Sequence, residues 1–182
     1  MQNNQTRTLD RPILKTDRLK LRRPDTGDIA SIVAIAGDWE VSRRLGRVPH
    51  PYGEKDAVFF LGTVVPKEWT WAITWLETGE LIGMVGLSPA PGDQTAELGY
   101  YLSPRFWGIG VATEAGKAVV HHGFVAIGFQ SLISHYFSDN PASGRVLRKL
   151  GFIETGPVTR PCLAVGSMQP SVEMHLDRGR SG

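Results

Sequence analysis

Residues Ala96 to Phe124 read AELGYYLSPRFWGIGVATEAGKAVVHHGF, and their character changes twice along the way. Leu98, Tyr100, Tyr101 and Leu102 favour the pleated geometry of a strand. Pro104 ends that strand, because proline has no N–H to give to a ladder. Trp107-Gly108-Ile109-Gly110 then reads as a glycine-rich turn, and Ile109, Ala112, Gly116 and Val119 recur at helical spacing after it. A strand, a glycine turn and a helix N-terminus together make an anion site. N–H groups of the first helical turn have no partner within the helix, and the macrodipole adds partial positive charge. Glycines let a phosphate come close to the main chain.

The rest of the chain bounds what such a site can serve. A length of 182 residues suits a single domain that buries roughly 70% of its unfolded surface. Apolar residues at 41% and charged residues at 21% are those of an ordinary globular protein. A net charge of +2 is too mild to argue for a nucleic-acid partner. Arg43, Arg44 and Arg47 form a short basic cluster that reads as a solvated face or the rim of a ligand site. With Cys162 as its one cysteine, the chain has no internal disulfide and no thiolate metal cage. No metal-ligand spacing appears, so no metal is expected. No secretory signal or bilayer-length apolar run is visible, and the expectation is a cytoplasmic monomer or homodimer with no membrane partner.

Reading outward, Met1 to Arg11 is polar and expected to be a flexible leader, residues 12–177 a single domain, and 178–182 a flexible tail. Ile13-Leu14 and Leu19-Lys20-Leu21 suggest a short strand. Asp25 offers a cap for a helix carrying Ile29, Ile32, Val33 and Ala36. Pro49 to Gly53 is rich in turn residues, and a second helix is expected over Glu54 to Val64 before Pro66. From Trp69 the period becomes two, with Trp69, Trp71, Ile73 and Trp75 on one face of a strand. A reversal at Glu77 to Glu80 leads into a second strand, Leu81 to Leu87, making a hairpin. Phe129 to Phe137 alternates as a strand. Asn140-Pro141 opens a helix as N-cap and first helical residue, with Val146, Leu147 and Leu150 inward and Gly151 as its left-handed stop. Phe152-Ile153 and Val172 to Leu176 read as two last strands joined by a Gly/Pro-interrupted connection.

Four blocks of these residues resemble a known family. Arg105-x-x-Gly108-x-Gly110 followed by Ala112 is similar to the acyl-CoA-binding motif of the GNAT (acyl-CoA N-acyltransferase) superfamily. Asn140-Pro141-Ala142-Ser143 with Leu147, Lys149, Leu150, Gly151 and Phe152 resembles the block that follows it. Thr16 to Arg22 (TDRLKLR) and Glu97-Leu98-Gly99-Tyr100-Tyr101 resemble the branch of ribosomal-protein alanine acetyltransferases. The likeness spans about residues 13 to 177 and implies an α/β (α+β) fold, with a mixed, mostly antiparallel sheet of six or seven strands flanked by helices.

It also implies a donor, acetyl-CoA, and an amine acceptor that is a protein N-terminus or a small molecule. Main-chain N–H groups of Trp107, Gly108, Ile109, Gly110, Val111, Ala112 and Thr113 are then expected to hold the pyrophosphate, with Arg105 as a possible phosphate contact. Leu102 is implied as a main-chain partner of the pantetheine arm, where its strand splays from the next. Asn140 has two readings, the helix cap or a side-chain bond to that arm. Glu97 is the candidate general base, acting directly or through water, since an amine of pKa near 10 is protonated at neutral pH. Many members carry a tyrosine seven residues after the asparagine. Here that position is Leu147, so Ser143 is the candidate acid toward the leaving thiolate. Two other readings stay open: an acyl-CoA-binding protein without catalysis, and a nucleotide-binding module using the same glycine turn.

Overall fold

The stripe of tryptophans begins a hairpin that anchors a single eight-stranded sheet. The computed structural model describes Leu9 and residues 11–92 and 94–180, so most of the expected leader and the last two residues of the tail lie outside the described residues. The strands are β1 (Leu14–Lys15), β2 (Leu19–Arg22), β3 (Trp69–Trp75), β4 (Leu81–Pro89), β5 (Thr95–Leu102), β6 (Ser131–Phe137), β7 (Ile153–Cys162) and β8 (Ser167–Asp177). Their spatial order is β1-β2-β3-β4-β5-β6-β8-β7. Every adjacent pair is antiparallel except β5 and β6, which run parallel and so need a crossover. Helix α4 (Val111–His122) makes that crossover. The helices α1 (Ile29–Ala36), α2 (Trp39–Ser42), α3 (Glu54–Phe59) and α5 (Pro141–Lys149) complete the fold.

Period-two alternation sorts the sheet's side chains into two cores. Leu19, Leu21, Trp71, Ile73, Leu98, Leu132 and Met174 face α4 and α5, where Val111, Ala115, Val119 and Leu147 meet them. On the other face Ala72, Leu81 and Met84 pack against Ile32 and Ile35 of α1 and Ala57 of α3. Strand β3 is thus buried on both sides, and Trp71 is fully covered, with its indole N–H donating to the Pro12 carbonyl at 3.0 Å. Packing at the N-terminal end already includes Leu9, which sits against the larger core, and Arg11, whose Nη1 donates to the Val65 carbonyl at 2.6 Å.

Three expectations change. The connection expected before the last strand is itself a strand, β7, paired with β8 from Ile153↔His175 to Cys162↔Ser167. Its prolines, Pro157 and Pro161, are tolerated because β7 is an edge strand and the absent N–H groups cost no ladder bond. Ile13-Leu14 and Leu19 to Leu21 belong to two strands, β1 and β2, paired Leu14↔Leu21. Ile109 is half exposed in the turn, and the helix buries Val111, Ala115, Gly116, Val119 and Val120 instead.

One buried carboxylate fixes the first turn of the α1 region. Asp28 accepts from both terminal nitrogens of Arg22, at 2.7 and 2.6 Å, and from the Asp25 N–H at 2.9 Å. Burial alone would raise its pKa, but the Arg22 and Asp25 bonds outweigh that and leave it below the usual carboxylate range. A folded-state pKa lower than the unfolded one contributes stability above the unfolded value, and that stability is lost as pH falls through the folded value. Urea unfolding followed by circular dichroism is therefore expected to show stability dropping as pH falls below roughly 4, the ordinary range of an aspartate. Arg22→Gln flattens that acid limb, and an unaltered limb would show that other carboxylates carry it.

Candidate active site

The site begins where two parallel strands part. β5 and β6 pair only at Thr95↔Ser131, Ala96↔Leu132 and Glu97↔Ile133. Beyond that both strands continue, to Leu102 and to Phe137, without further pairing, so a wedge opens between them. The buried Ser134 hydroxyl sits at its apex and donates to the Leu98 carbonyl at 2.9 Å. On one face of β5, a Cβ placed on Gly99 would meet no atom within 4 Å, so there is open space between the flanking side chains of Glu97 and Tyr101.

The open end of the wedge leads to the glycine turn. Gly108 and Gly110 adopt φ of 78° and 85°, a region that favours glycine, and a Cβ on Gly108 would meet nothing within 4 Å. Gly110 is the N-cap of α4, a helix of 12 residues, so the N–H groups of its first turn have no partner within the helix. This fits a pyrophosphate held by the main chain from Gly108 to Thr113, whereas the Trp107 N–H, expected to join them, donates to the Pro104 carbonyl at 3.1 Å. The Leu102 carbonyl accepts the Trp107 indole N–H at 3.0 Å, which leaves it one lone pair for another partner. Arg105, the expected phosphate contact, instead lies 3.5 Å from Glu80.

The Thr16-to-Arg22 block has a structural explanation. Glu114, in the first turn of α4, accepts from the Thr16 hydroxyl at 2.5 Å, the Arg18 N–H at 2.9 Å and the Arg18 Nε at 2.7 Å. Arg18 also donates from Nη1 to the Ile109 carbonyl at 3.0 Å. Burial would push the Glu114 carboxyl up, but these bonds hold it below the usual carboxylate range. The block therefore clamps the glycine turn and the helix start onto the sheet.

Across the wedge, Asn140 caps α5. Its Oδ1 lies 3.4 Å from the Ser143 N–H, while its amide nitrogen has no hydrogen bond among the described residues. The two roles weighed for Asn140 are thus compatible, one on each end of the amide. Leu147, in the position where a tyrosine was missed, is fully buried in the core. A tyrosine does reach this region from another element. Tyr100 of β5 places its hydroxyl 2.8 Å from the Ser143 Oγ. Burial pushes the Tyr100 pKa up to about 12, so the phenol keeps its proton. The alternation that puts Leu98 and Leu102 on the core face puts Tyr100 there too, and a buried phenol needs a partner. That signal was available in the sequence.

Glu97 lies on the opposite face, in a row of charged groups crossing the sheet. Its Oε1 is 3.0 Å from Nδ1 of His135 on β6. Its neighbour across β4 is Ser88, which bonds Glu68 at 2.7 Å and Arg47 at 3.0 Å. Beyond His135 come its cross-strand partner Glu173 and then Arg160, which bonds Glu173 at 3.2 Å. His135, above all, and then the charges of Arg160 and Arg47 hold the Glu97 carboxyl below its usual range despite burial.

Above this row lies a cavity of ≈ 280 Å³ lined by Trp39 and Arg43 of α2, Phe137 and Asp139 at the end of β6, and Val165 and Gln169 of the last hairpin. Arg43 pairs with Asp139 at 2.9 Å, Arg44 lies over the Trp107 ring, and Arg47 pairs with Glu68 at 2.6 Å, so the basic cluster rims the site rather than forming a polyanion surface. His50 bonds Ser42 at 3.2 Å beside Trp39, at the edge of this region. Cys162 is buried, with its sulfur 3.6 Å from the Arg43 and Leu45 carbonyls, and takes no catalytic position. No group of His, Cys, Asp and Glu suited to a metal is present among the described residues, and none of their helices is long and apolar enough to cross a membrane.

Comparison with known proteins agrees with this geometry. Residues 18–153 match the family model "Acetyltransferase (GNAT) domain". The uncharacterized N-acetyltransferase YoaA of Bacillus subtilis is 35% identical over 151 residues, which covers 80% of this chain and 85% of YoaA. Among solved structures, ribosomal-protein-S5-alanine acetyltransferase from Vibrio fischeri superposes with a TM-score of 0.75 at 16% identity, covering 94% of this chain and 99% of that one. Spermidine N-acetyltransferase from Vibrio cholerae, in complex with CoA and spermine, gives 0.77 at 19% identity, covering 91% and 99%. The mixed eight-stranded sheet is that of these acetyltransferases, and the chain belongs to the GNAT acetyltransferase family.

Proposed function

We propose that the chain transfers an acetyl group directly from acetyl-CoA to a primary amine, either a protein N-terminus or a small molecule. The observation that carries this reading is the wedge between β5 and β6, with the glycine turn at its mouth and Glu97 beside its apex. Structural relatives named for a ribosomal-protein alanine and for spermidine support both kinds of acceptor. Acetyl-CoA supplies an acyl group already activated as a thioester. Main-chain N–H groups from Gly108 to Thr113 hold its pyrophosphate, while the Leu102 main chain and the Asn140 amide align the arm. Glu97 drives removal of the ammonium proton, and the buried Cys162 leaves a covalent acyl-enzyme without a nucleophile.

Ser143 is the proton donor to the departing sulfur. Because Tyr100 stays protonated, its hydroxyl can donate to Ser143 and free the serine proton for the thiolate. A thiol of pKa near 8.5 leaves readily, so the acid contributes modestly. Ser143→Ala is expected to lower kcat by about tenfold or less, below the usual range for general acid–base groups. Tyr100→Phe should produce a similar loss.

Thiol release from acetyl-CoA, measured with a panel of alkyl amines, polyamines and peptides, tests the whole reading. Coenzyme A binding without turnover of any amine would favour a non-catalytic binder. Tight ATP binding without coenzyme A binding would favour the nucleotide module.

A further inference from the structure

Among groups the mechanism does not yet use, His135 stands out. Its side chain is 18% exposed, and Nδ1 is the buried side-chain polar atom without a well-aligned hydrogen bond among the described residues. Nδ1 is nevertheless 3.0 Å from Glu97 Oε1, a close polar contact off the N–H axis that becomes an ion pair when the ring is protonated. The distance is the better guide to the energetics, because an adjacent carboxylate favours a proton on Nδ1 at either angle. Nε2 makes no hydrogen bond among the described residues and is not among the buried unpaired atoms. The ring stands beside Phe137, whose side chain lines the cavity under Trp39, with centroids 6.1 Å apart.

We propose that His135 is the group that takes the ammonium proton, through Nε2, and that Glu97 is its positioning partner, holding the ring through Nδ1. This rests on the reading of the chain as an amine acetyltransferase. A carboxylate fixes the tautomer of an adjacent imidazole, so a proton on Nδ1 leaves the Nε2 lone pair free. A carboxylate held below its range is a poor base, whereas an imidazole nitrogen with a free lone pair is the commonest general base. The other groups facing the pair are Ser88 with Arg47 and Glu68 on the β4 side, Glu173 on β8 and Arg160 on β7. Each of these charges already has an opposite partner, which leaves His135 as the group with an unused acceptor.

The step balances as follows. One N–H bond of the ammonium breaks toward Nε2, giving an imidazolium beside Glu97. The freed lone pair forms the C–N bond to the thioester carbonyl, the C–S bond breaks, and the Ser143 hydroxyl gives its proton to sulfur while the second amine proton restores it. The imidazolium then returns its proton to water.

Two measurements test this. Nitrogen chemical shifts of the coenzyme A-bound protein at high pH should show the neutral His135 ring protonated on Nδ1, and Glu97→Gln should shift it toward the Nε2-protonated form. A ring protonated on Nε2 in the wild type overturns the proposal. Separately, His135→Gln, with melting temperature and coenzyme A affinity intact, should lower kcat/KM at pH 7 by about 100-fold, within the range for a general base. A loss smaller than tenfold overturns the role of His135 while leaving the acetyltransferase reading in place. Wild-type protein that binds coenzyme A but releases no thiol with spermidine, alkyl amines or peptides starting with alanine or serine overturns that reading instead, and the tautomer still reports on the pair.

Discussion

Gly110→Val weakens coenzyme A binding by at least about 100-fold in calorimetry, equivalent to about 2.7 kcal/mol. Two effects combine in that loss. Gly110 has φ of 85°, where a β-branched residue is strongly disfavoured, so valine there would drag the turn out of shape or strain it. The new side chain also occupies the space in front of the α4 N-terminus, where the phosphates must come within hydrogen-bond reach of the main chain. Loss of the fold is not the expected cause. The nearest atom to a Cβ at Gly110 is Arg18 Nη2 at 3.5 Å, an ordinary contact. Backbone strain of about 1–2 kcal/mol is tolerable for a domain of ordinary stability. Gly108→Val provides the parallel case, since its Cβ would enter open space. Wild-type affinity in both variants would refute the loop as the pyrophosphate site, whereas loss in both with near-normal melting temperatures would establish it.

The elements easiest to read were those whose signal is local. Strand β3 alternates strictly, the Asn140-Pro141 start and Gly151 stop of α5 are set by single-residue chemistry, and the glycine turn must precede a helix. The long β7–β8 hairpin was hidden because Pro157 and Pro161 look like breakers until one knows that β7 is an edge. Edge position is a tertiary fact. Helix α2 is a single turn of four residues capped by Asp38, too short for any periodicity to show.

The candidate site divides the same way. Glu97, the glycine turn and Asn140 lie within motifs and were visible as such. Tyr100 and His135 were not singled out, although alternation along β5 and β6 assigns each to its face. What alternation cannot supply is the register between β5 and β6, which brings His135 to Glu97 from 38 positions away in sequence (135 − 97). The wedge is equally illegible, because parallel pairing that stops after three residues on each strand depends on where α4 and α5 seat the two strands. Arg18 and Glu114 show a converse case: residues inside a recognisable block whose work is to brace the turn rather than to touch a ligand.

Glu97→Gln is expected to lower kcat/KM at pH 7 by about 100-fold, and the loss should shrink as pH rises. The wild-type pair takes the ammonium proton itself, so its rate does not wait on amine that is already neutral. Without Glu97 to set the tautomer of His135, the variant depends on amine that is already neutral, a fraction that rises tenfold per pH unit. For an alkyl amine of pKa near 10.4 that fraction is only about one in 2,500 at pH 7, so the deficit is large there and, shrinking tenfold per pH unit from about 100-fold, should reach about tenfold near pH 8. For a peptide N-terminus of pKa near 8 the neutral fraction is already about one in ten, and the deficit at pH 7 should be nearer tenfold. The pH course of the ratio between wild type and variant therefore reports the class of amine as well as the role of the carboxylate. The same logic predicts non-additivity with His135→Gln. If the two side chains form one unit, the double variant loses no more than the larger single loss, as residues acting through one another do. Independent contributions would multiply. A ratio that stays constant from pH 6 to pH 9.5 would remove Glu97 from proton transfer and leave it as a structural member of the charged row that links Arg47 to Arg160 across the sheet.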